Sequence, residues 1–253
     1  MNVFTMKNII KLFTIVFIFS CDSPDAIDCL QSEGDLIMKE VVVNTFDRIL
    51  VNRDIELIIK EDADFRVIIQ TGVNLLNDIE ISVRDNQLVL MDNNSCNYFR
   101  NYGITKVYVY APNLKEVSNS SQYEVSSDGF LSYPELKIIS ENFQFTENFT
   151  VGDFRLRVLS ENLDVVSNNI SSFYISGEVN NLNIAFYAGS GRFEGENLIS
   201  QNITIFHRGS NDMIVNPQIS LSGELRGAGN VISLNEPPIV DVREFYIGRL
   251  IFQ

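Results

Sequence analysis

The chain has no tryptophan, a single histidine, three cysteines and six prolines in 253 residues. So few histidines and cysteines leave little material for a zinc site or for histidine-dependent catalysis. Basic residues are also scarce. Nineteen Lys and Arg stand against 33 Asp and Glu, giving a net charge of −14, which opposes a nucleic-acid-binding or polybasic membrane-binding surface. Nucleic acid is therefore not an expected partner. No twelve-residue window carries an apolar stripe of period 3.6, so helices are not expected. What remains is globular: 45% hydrophobic and 21% charged residues are enough to bury one large core or two small ones.

The first segment with a clear meaning is N-terminal. Lys7 and Lys11 precede the apolar run from Leu12 to Phe19, which is the size of a signal-peptide core and too short to span a bilayer. Residues 1–20 are thus expected to be a targeting segment. The following Ile18-Phe19-Ser20-Cys21 resembles a bacterial lipobox, in which the cysteine thiol takes a diacylglyceryl group before cleavage leaves it as the new N-terminus. Cys21 is the expected lipidation site. Two or three acyl chains, palmitate among them, would make a durable anchor where one would not. Residues 21–34 then form a tethered leader and 35–253 a single β domain. This predicts a lipoprotein of the cell envelope, with the outer membrane favoured.

Export would place Cys29 and Cys96 in an oxidising compartment, where an even pair favours a disulfide. A two-cysteine metal site is the weaker alternative, because His207 lies more than a hundred residues beyond Cys96. Neither a metal nor a cofactor is expected.

Lys39–Val43, Asp54–Ile59, Phe65–Ile69 and Lys106–Tyr110 are short, β-branched and bounded by polar turns, as strands are. Asp78–Arg84 alternates strictly, Asp85-Asn86 turns, and Gln87–Met91 returns, which predicts a hairpin. After Pro112 a loose repeat appears. Asn162-Leu163, Asn181-Leu182 and Asn202-Ile203 recur at intervals of 19 and 21 residues, with Asn113-Leu114 as an earlier instance. Each is followed by a small polar cluster such as Ser167-Asn168-Asn169, Gly189-Ser190-Gly191 or Gly209-Ser210-Asn211. A strand, a tight corner and a second strand are what one coil of a parallel β-solenoid requires. The 27 asparagines supply corner residues that tolerate left-handed backbone. Arg155, Arg157, Glu161, Asp164 and Glu178 should then face outward, and the tail from Pro237 to Phe252 should cap the open end. The expected class is all-β: a right-handed parallel solenoid preceded by strands and hairpins. A β-sandwich is the alternative.

Several of these segments together carry a family likeness. They are Phe46–Val51 leading into Ile55–Lys60, then Val67–Ile69, Asn74–Ile79, Leu88–Leu90 and Val107–Leu114, with the corners Gly189-Ser190-Gly191 and Gly227–Val231. Over roughly residues 40–235 the chain resembles the auto-transporter adhesins with a head GIN domain, exported lipoproteins of Bacteroidetes-type bacteria. The resemblance implies a right-handed, solenoid-like fold and an adhesive role. It implies no catalytic or ligand-binding residue.

Catalytic constellations are weak. His207 stands beside Arg208, Ser210 and Asp212, but neighbours along one extended strand point to opposite faces, whereas a triad draws its members from separate segments. An exposed or corner histidine is expected instead. Glu61, Asp62 and Asp64 lack calcium-loop spacing and are expected to form a solvated turn. Aromatic residues are the better lead for binding. Tyr98, Phe99 and Tyr102 follow Cys96, and Phe143, Phe145, Phe149 and Phe154 cluster between repeats. Rings of this kind stack on sugars or anchor protein partners when exposed, and otherwise fill the interior. The favoured function is a non-enzymatic, lipid-anchored protein acting in adhesion or protein–protein contact, with a glycan, a protein or a second copy of itself as partner. The second is a carbohydrate-binding module or polysaccharide-active enzyme on the same scaffold.

Overall fold

A computed structural model describes residues 23–24, 28–94, 96–98, 100–101, 103–141 and 150–253. The signal segment, Cys21, Phe99, Tyr102, Phe143, Phe145 and Phe149 lie outside the described residues. The described chain is all-β. In order its strands are β1 (Leu36–Val41), β2 (Arg48–Asn52), β3 (Glu56–Glu61), β4 (Arg66–Gly72), β5 (Ile79–Arg84), β6 (Gln87–Asp92), β7 (Lys106–Ala111), β8 (Glu116–Ser120) and β9 (Val125–Leu131). They continue with β10 (Glu135–Ser140), β11 (Phe154–Ser167), β12 (Ser172–Phe186), β13 (Arg192–His207), β14 (Met213–Leu225), β15 (Val231–Ser233), β16 (Ile239–Glu244) and β17 (Leu250–Phe252).

From β8 onward each wind of chain pairs in parallel with the winds before and after it. One face runs β8, β10, β11, β12, β13, β14, β16, and the other runs β9, β11, β12, β13, β14, β15, β17. Strands β11 to β14 serve both faces because each is bent along its length. The asparagine repeat is in register: Asn162 pairs with Asn181 and Asn181 with Asn202. Their side chains form a ladder, with Asn181 donating to Asn162 at 2.9 Å and Asn202 to Asn181 at 3.3 Å. The repeat therefore marks bends within long strands, while the Ser/Gly/Asn clusters that follow it form the corners.

Alternation fills the interior. Leu163, Leu182, Ile203 and Leu221 stack in one buried column. Phe154, Phe173, Phe193, Met213 and Val231 stack in another, with the Phe154 and Phe173 rings parallel and 5.1 Å apart. Phe154 is thus an interior ring. Arg155, Arg157, Glu161 and Glu178 are exposed and Asp164 half-buried, as the outward positions of the repeat require.

The N-terminal part departs from a simple series of hairpins. The predicted hairpin exists as β5–β6, closed by Asp85 and Asn86 at φ 48° and 60°, the left-handed pair of a type I′ turn. However, β2 and β3 lie inside the stack. Strand β2 pairs in parallel with both β6 and β8, and β3 with both β7 and β9. After β1 the chain therefore enters the middle of the stack with β2 and β3, builds outward through β4 to β7, and returns to continue the other way from β8. Antiparallel β4 and β1 extend the outer side of β7. Ile49, Val51, Leu57 and Ile59 are fully buried as a result. Apart from the antiparallel pairs β1–β4, β4–β7 and β5–β6, the neighbours are parallel, unlike the hairpin-joined neighbours of an up-and-down sandwich.

The tail corrects another expectation. Rather than covering the open end, β16 and β17 are its last wind: β16 pairs only with β14, and β17 only with β15. Among the described residues no further strand pairs with their outer edges, where Leu250 N–H is taken by the Glu244 carboxylate at 2.8 Å, and the corner between them presents Phe245, Tyr246 and Ile247 to solvent.

Candidate functional site

A cavity of about 180 Å³ opens at the N-terminal end, lined by Asp54, Leu75, Asp92, Asn94, Cys96, Asn97, Arg100 and Thr105, among others. Its floor comes from the ends of β6 and β7. Asp92 is buried and accepts from the Asn94 backbone N–H at 2.9 Å, the Asn94 side-chain amide at 2.6 Å and the Thr105 hydroxyl at 3.1 Å. Thr105, which donates to that carboxylate, in turn accepts from Thr71 at 3.0 Å. One wall is the tight corner between β2 and β3, where Arg53 and Asp54 both take positive φ. There the Asp54 carboxylate accepts from the Gln122 amide, while Asp54 N–H donates to Gln122 Oε1 at 3.3 Å.

Burial pushes both acids upward. Desolvation dominates for Asp54, opposed by the bond from Gln122 and the nearby Arg100. It dominates for Asp92 too, opposed by the Asn94 and Thr105 bonds and reinforced by the Asp54 charge. Both oxygens of Asp92 are already committed to the protein's own donors, which fits a structural acceptor better than a proton donor to a ligand. The cavity is nonetheless a polar cup with two carboxylates, amides and a guanidinium.

Cys29 and Cys96 are joined by a disulfide, with their Cα atoms 4.5 Å apart, which ties the leader to the cavity rim. Tyr98 N–H donates to Cys29 O at 3.1 Å and Arg100 donates to Cys96 O at 2.9 Å. Tyr98 itself is exposed on this rim. Of the three aromatics expected to bind, it alone lies within the described residues, and it does not line the cavity.

His207 is at a corner but fully buried, which corrects the exposed alternative. It continues the interior column of Phe186, whose ring it meets edge-on at 6.1 Å. Its Nε2 lies 2.8 Å from Asn211 O; a carbonyl only accepts, so the proton sits on Nε2. Asp212 accepts from the backbone and side-chain N–H groups of Asn230, and no triad forms. Glu61 and Asp62 serve turns and strand neighbours: Glu61 accepts from Ser132 N–H, and Asp62 pairs with Arg66 at 3.6 Å. Among the described residues no cluster of three metal-ligating side chains occurs.

The buried imidazole has a consequence for pH. Desolvation holds His207 below its ordinary value of 6.5, against the Asn211 bond and the Asp212 charge. Between the two values the unfolded chain binds a proton that the folded chain refuses, so stability falls as pH drops through and below 6.5. The raised acids act with the opposite sign, losing stability as pH rises from their ordinary 3.8. In urea unfolding at pH 7.5 and pH 5, His207→Phe is expected to lose less stability on acidification than the parent. Equal losses in the two proteins would contradict this.

These features describe an all-β, parallel-stacked body with a disulfide-closed polar cup at one end and an open edge at the other. The chain belongs to the family described as putative auto-transporter adhesin, head GIN domain, which matches residues 45–237. Solved structures share the fold. A putative adhesin of Bacteroides fragilis NCTC 9343 is 20% identical with a TM-score of 0.76, over 88% of this chain and 99% of that one. A putative adhesin of Parabacteroides distasonis ATCC 8503 is 13% identical with a TM-score of 0.61, over 88% and 99%. A putative lipid binding protein of the same strain is 15% identical with a TM-score of 0.60, over 87% and 97%. Among curated proteins none matches.

Proposed function

We propose that the chain is exported, acylated at Cys21 and held by that lipid in the bacterial envelope, on the outer membrane, where its body makes adhesive contacts without catalysing a reaction. The winds are taken to run right-handed, as crossovers between parallel strands do. One observation carries the reading: the leader is fastened at one end of the stack. Gln31 donates to Asn74 O in the body at 3.0 Å, and Cys29 is bonded to Cys96. An N-terminal tether would therefore hold the body by its cavity end. From β6 to β16 the stacked face is about 40 Å long at about 4.8 Å per strand, so the opposite end stands away from the membrane. Loss of Lys7 and Lys11 with the signal leaves 33 acids against 17 bases, a surface repelled by anionic headgroups. Replacing Cys21 by Ala is expected to move the protein from the membrane fraction to the soluble fraction, and retention in the membrane would refute the anchor.

The polar cup supports a second reading, a carbohydrate-binding end on the same scaffold. Its amides, guanidinium and carboxylates suit a hydroxylated ligand of about one sugar ring. A glycan array with the purified protein tests it, with binding lost in Asp54→Ala as the expected result.

A further inference from the structure

The free edge of the last wind has a charge pattern that pairs with itself. Strand β16 reads Ile239-Val240-Asp241-Val242-Arg243-Glu244. Its register against β14 sets Val240 beside the buried Leu221, and Asp241 and Arg243 beside Ser222 and Glu224 on the outer surface. A second copy of the strand could approach antiparallel about a two-fold axis. Directly opposed residues must then lie on the same face, so the axis passes through a residue. Centred on Asp241 or on Arg243, the pairing opposes like charges. Centred on Val242, it opposes Asp241 to the mate's Arg243 twice, and Ile239 to the mate's Phe245. Within its own chain Arg243 pairs with Glu224 at 3.3 Å, while Asp241 has no partner among the described residues.

Three further observations bear on the same edge. Among the described residues no second strand pairs with the outer side of β16, while on β17 the Leu250 N–H is held by Glu244 at 2.8 Å; an edge like that of β16 is a template for another strand. It is flanked by large apolar residues: Ile239 is 58% exposed, Phe245 52%, Tyr246 62% and Ile247 61%, a grouping typical of interaction surfaces. Finally, β16 and β17 lie on the two faces of one wind, so a two-fold axis perpendicular to those faces sets β17 antiparallel to the mate's β17 as well.

We propose that this end binds the same end of a second copy, β16 to β16 in the register centred on Val242. The pair is closed by symmetry and does not grow further. Its two cavity ends point in opposite directions. Resting on the anchored reading above, such a pair joins two facing membranes, which makes the adhesion homophilic.

The test uses full-length protein in detergent micelles, followed by sedimentation. The parent is expected to be dimeric. Asp241→Arg and Arg243→Asp each place like charges opposite one another twice, and each is expected to dimerise about tenfold more weakly. An equimolar mixture of the two variants has complementary edges, so dimers should return, which also shows that both variants are folded. A monomeric parent, open-ended oligomers, or a mixture no better than its components would overturn the proposal. Vesicles carrying the anchored protein separate the two ideas. Clustering of parent vesicles, and of Asp241→Arg vesicles only with Arg243→Asp vesicles, supports bridging; dimers in detergent without clustering would leave the strand pairing standing and remove the adhesive reading.

Discussion

Gly177→Ala is expected to destabilise the body by more than about 3 kcal/mol, enough to leave much of the protein unfolded. Gly177 closes the first-face segment of β12, just before the bend at Asn181, and its φ is +119°, a region that L side chains rarely enter. A Cβ there would lie 1.9 Å from Val158 O in the wind beneath. That oxygen belongs to backbone stacked in register, so it cannot retreat as a flexible side chain would. A similar close approach occurs on the other face in β14, where Gly223 has φ +136° and a Cβ would meet Ile205 O at 1.9 Å. By contrast, a Cβ on Gly129, at φ +97°, meets nothing within 4 Å, so Gly129→Ala should cost only its backbone strain. Equilibrium unfolding of the two variants side by side checks the argument. Equal losses would mean that the close approach between winds is not what requires glycine at Gly177.

These glycines also show which parts of the fold local pattern can reveal. The recurrence of Asn162, Asn181 and Asn202 was readable because stacking forces equivalent residues into register, and register keeps the winds nearly equal in length, the difference between 19 and 21 residues being taken up where the pairing shifts register. The corners were readable because small polar residues are needed there. The need for glycine at Gly177 was not: it comes from Val158 O, 19 residues away in sequence, and an isolated glycine in a strand pattern gives no sign of it. The inward placement of β2 and β3 was likewise hidden. A parallel neighbour on each side and an antiparallel one give the same alternation of buried and half-buried residues, so Ile49 and Val51 read identically in either arrangement. The hairpin at Asp85-Asn86 was legible because its turn chemistry is contained in two adjacent residues. At the cavity end, the cysteine pair was legible from composition and from the expectation of export. Asp54 and Asp92 were not, since nothing in their local sequence distinguishes them from the other acids. His207 was misleading for a related reason. Its neighbours are polar corner residues, but the register of β13 on β12 continues the Phe186 column through it and carries its ring inside.

Replacing Cys29 and Cys96 together by Ser is expected to cost about 4 kcal/mol in the chain-entropy account of a loop this long, for a sequence separation of 67 residues. The effect should be largest at the cavity end. With the covalent tie gone, the leader is held there by Tyr98 N–H on Cys29 O, by the Gln31 bond to Asn74 O and by the Asn74 bonds to Ser32 O and Glu33 O. Gln31 Oε1 is buried without a partner among the described residues, so that grip includes an uncompensated polar atom and should open readily. Arg100, which donates to Cys96 O and to Gln31 O, would lose both acceptors once the rim moves. The double variant should therefore unfold at lower denaturant, and a protease should cut it between Asn93 and Thr105 under conditions where the parent resists. The long parallel winds from β11 to β14 share no residue with this rim, so their amide protection against hydrogen exchange should stay close to that of the parent under native conditions. A reduced parent with an unchanged unfolding midpoint would show that the stack alone fixes the leader. In that case the tether would pull directly on the β1–β4 edge, and the disulfide would have no mechanical part in holding the body by one end.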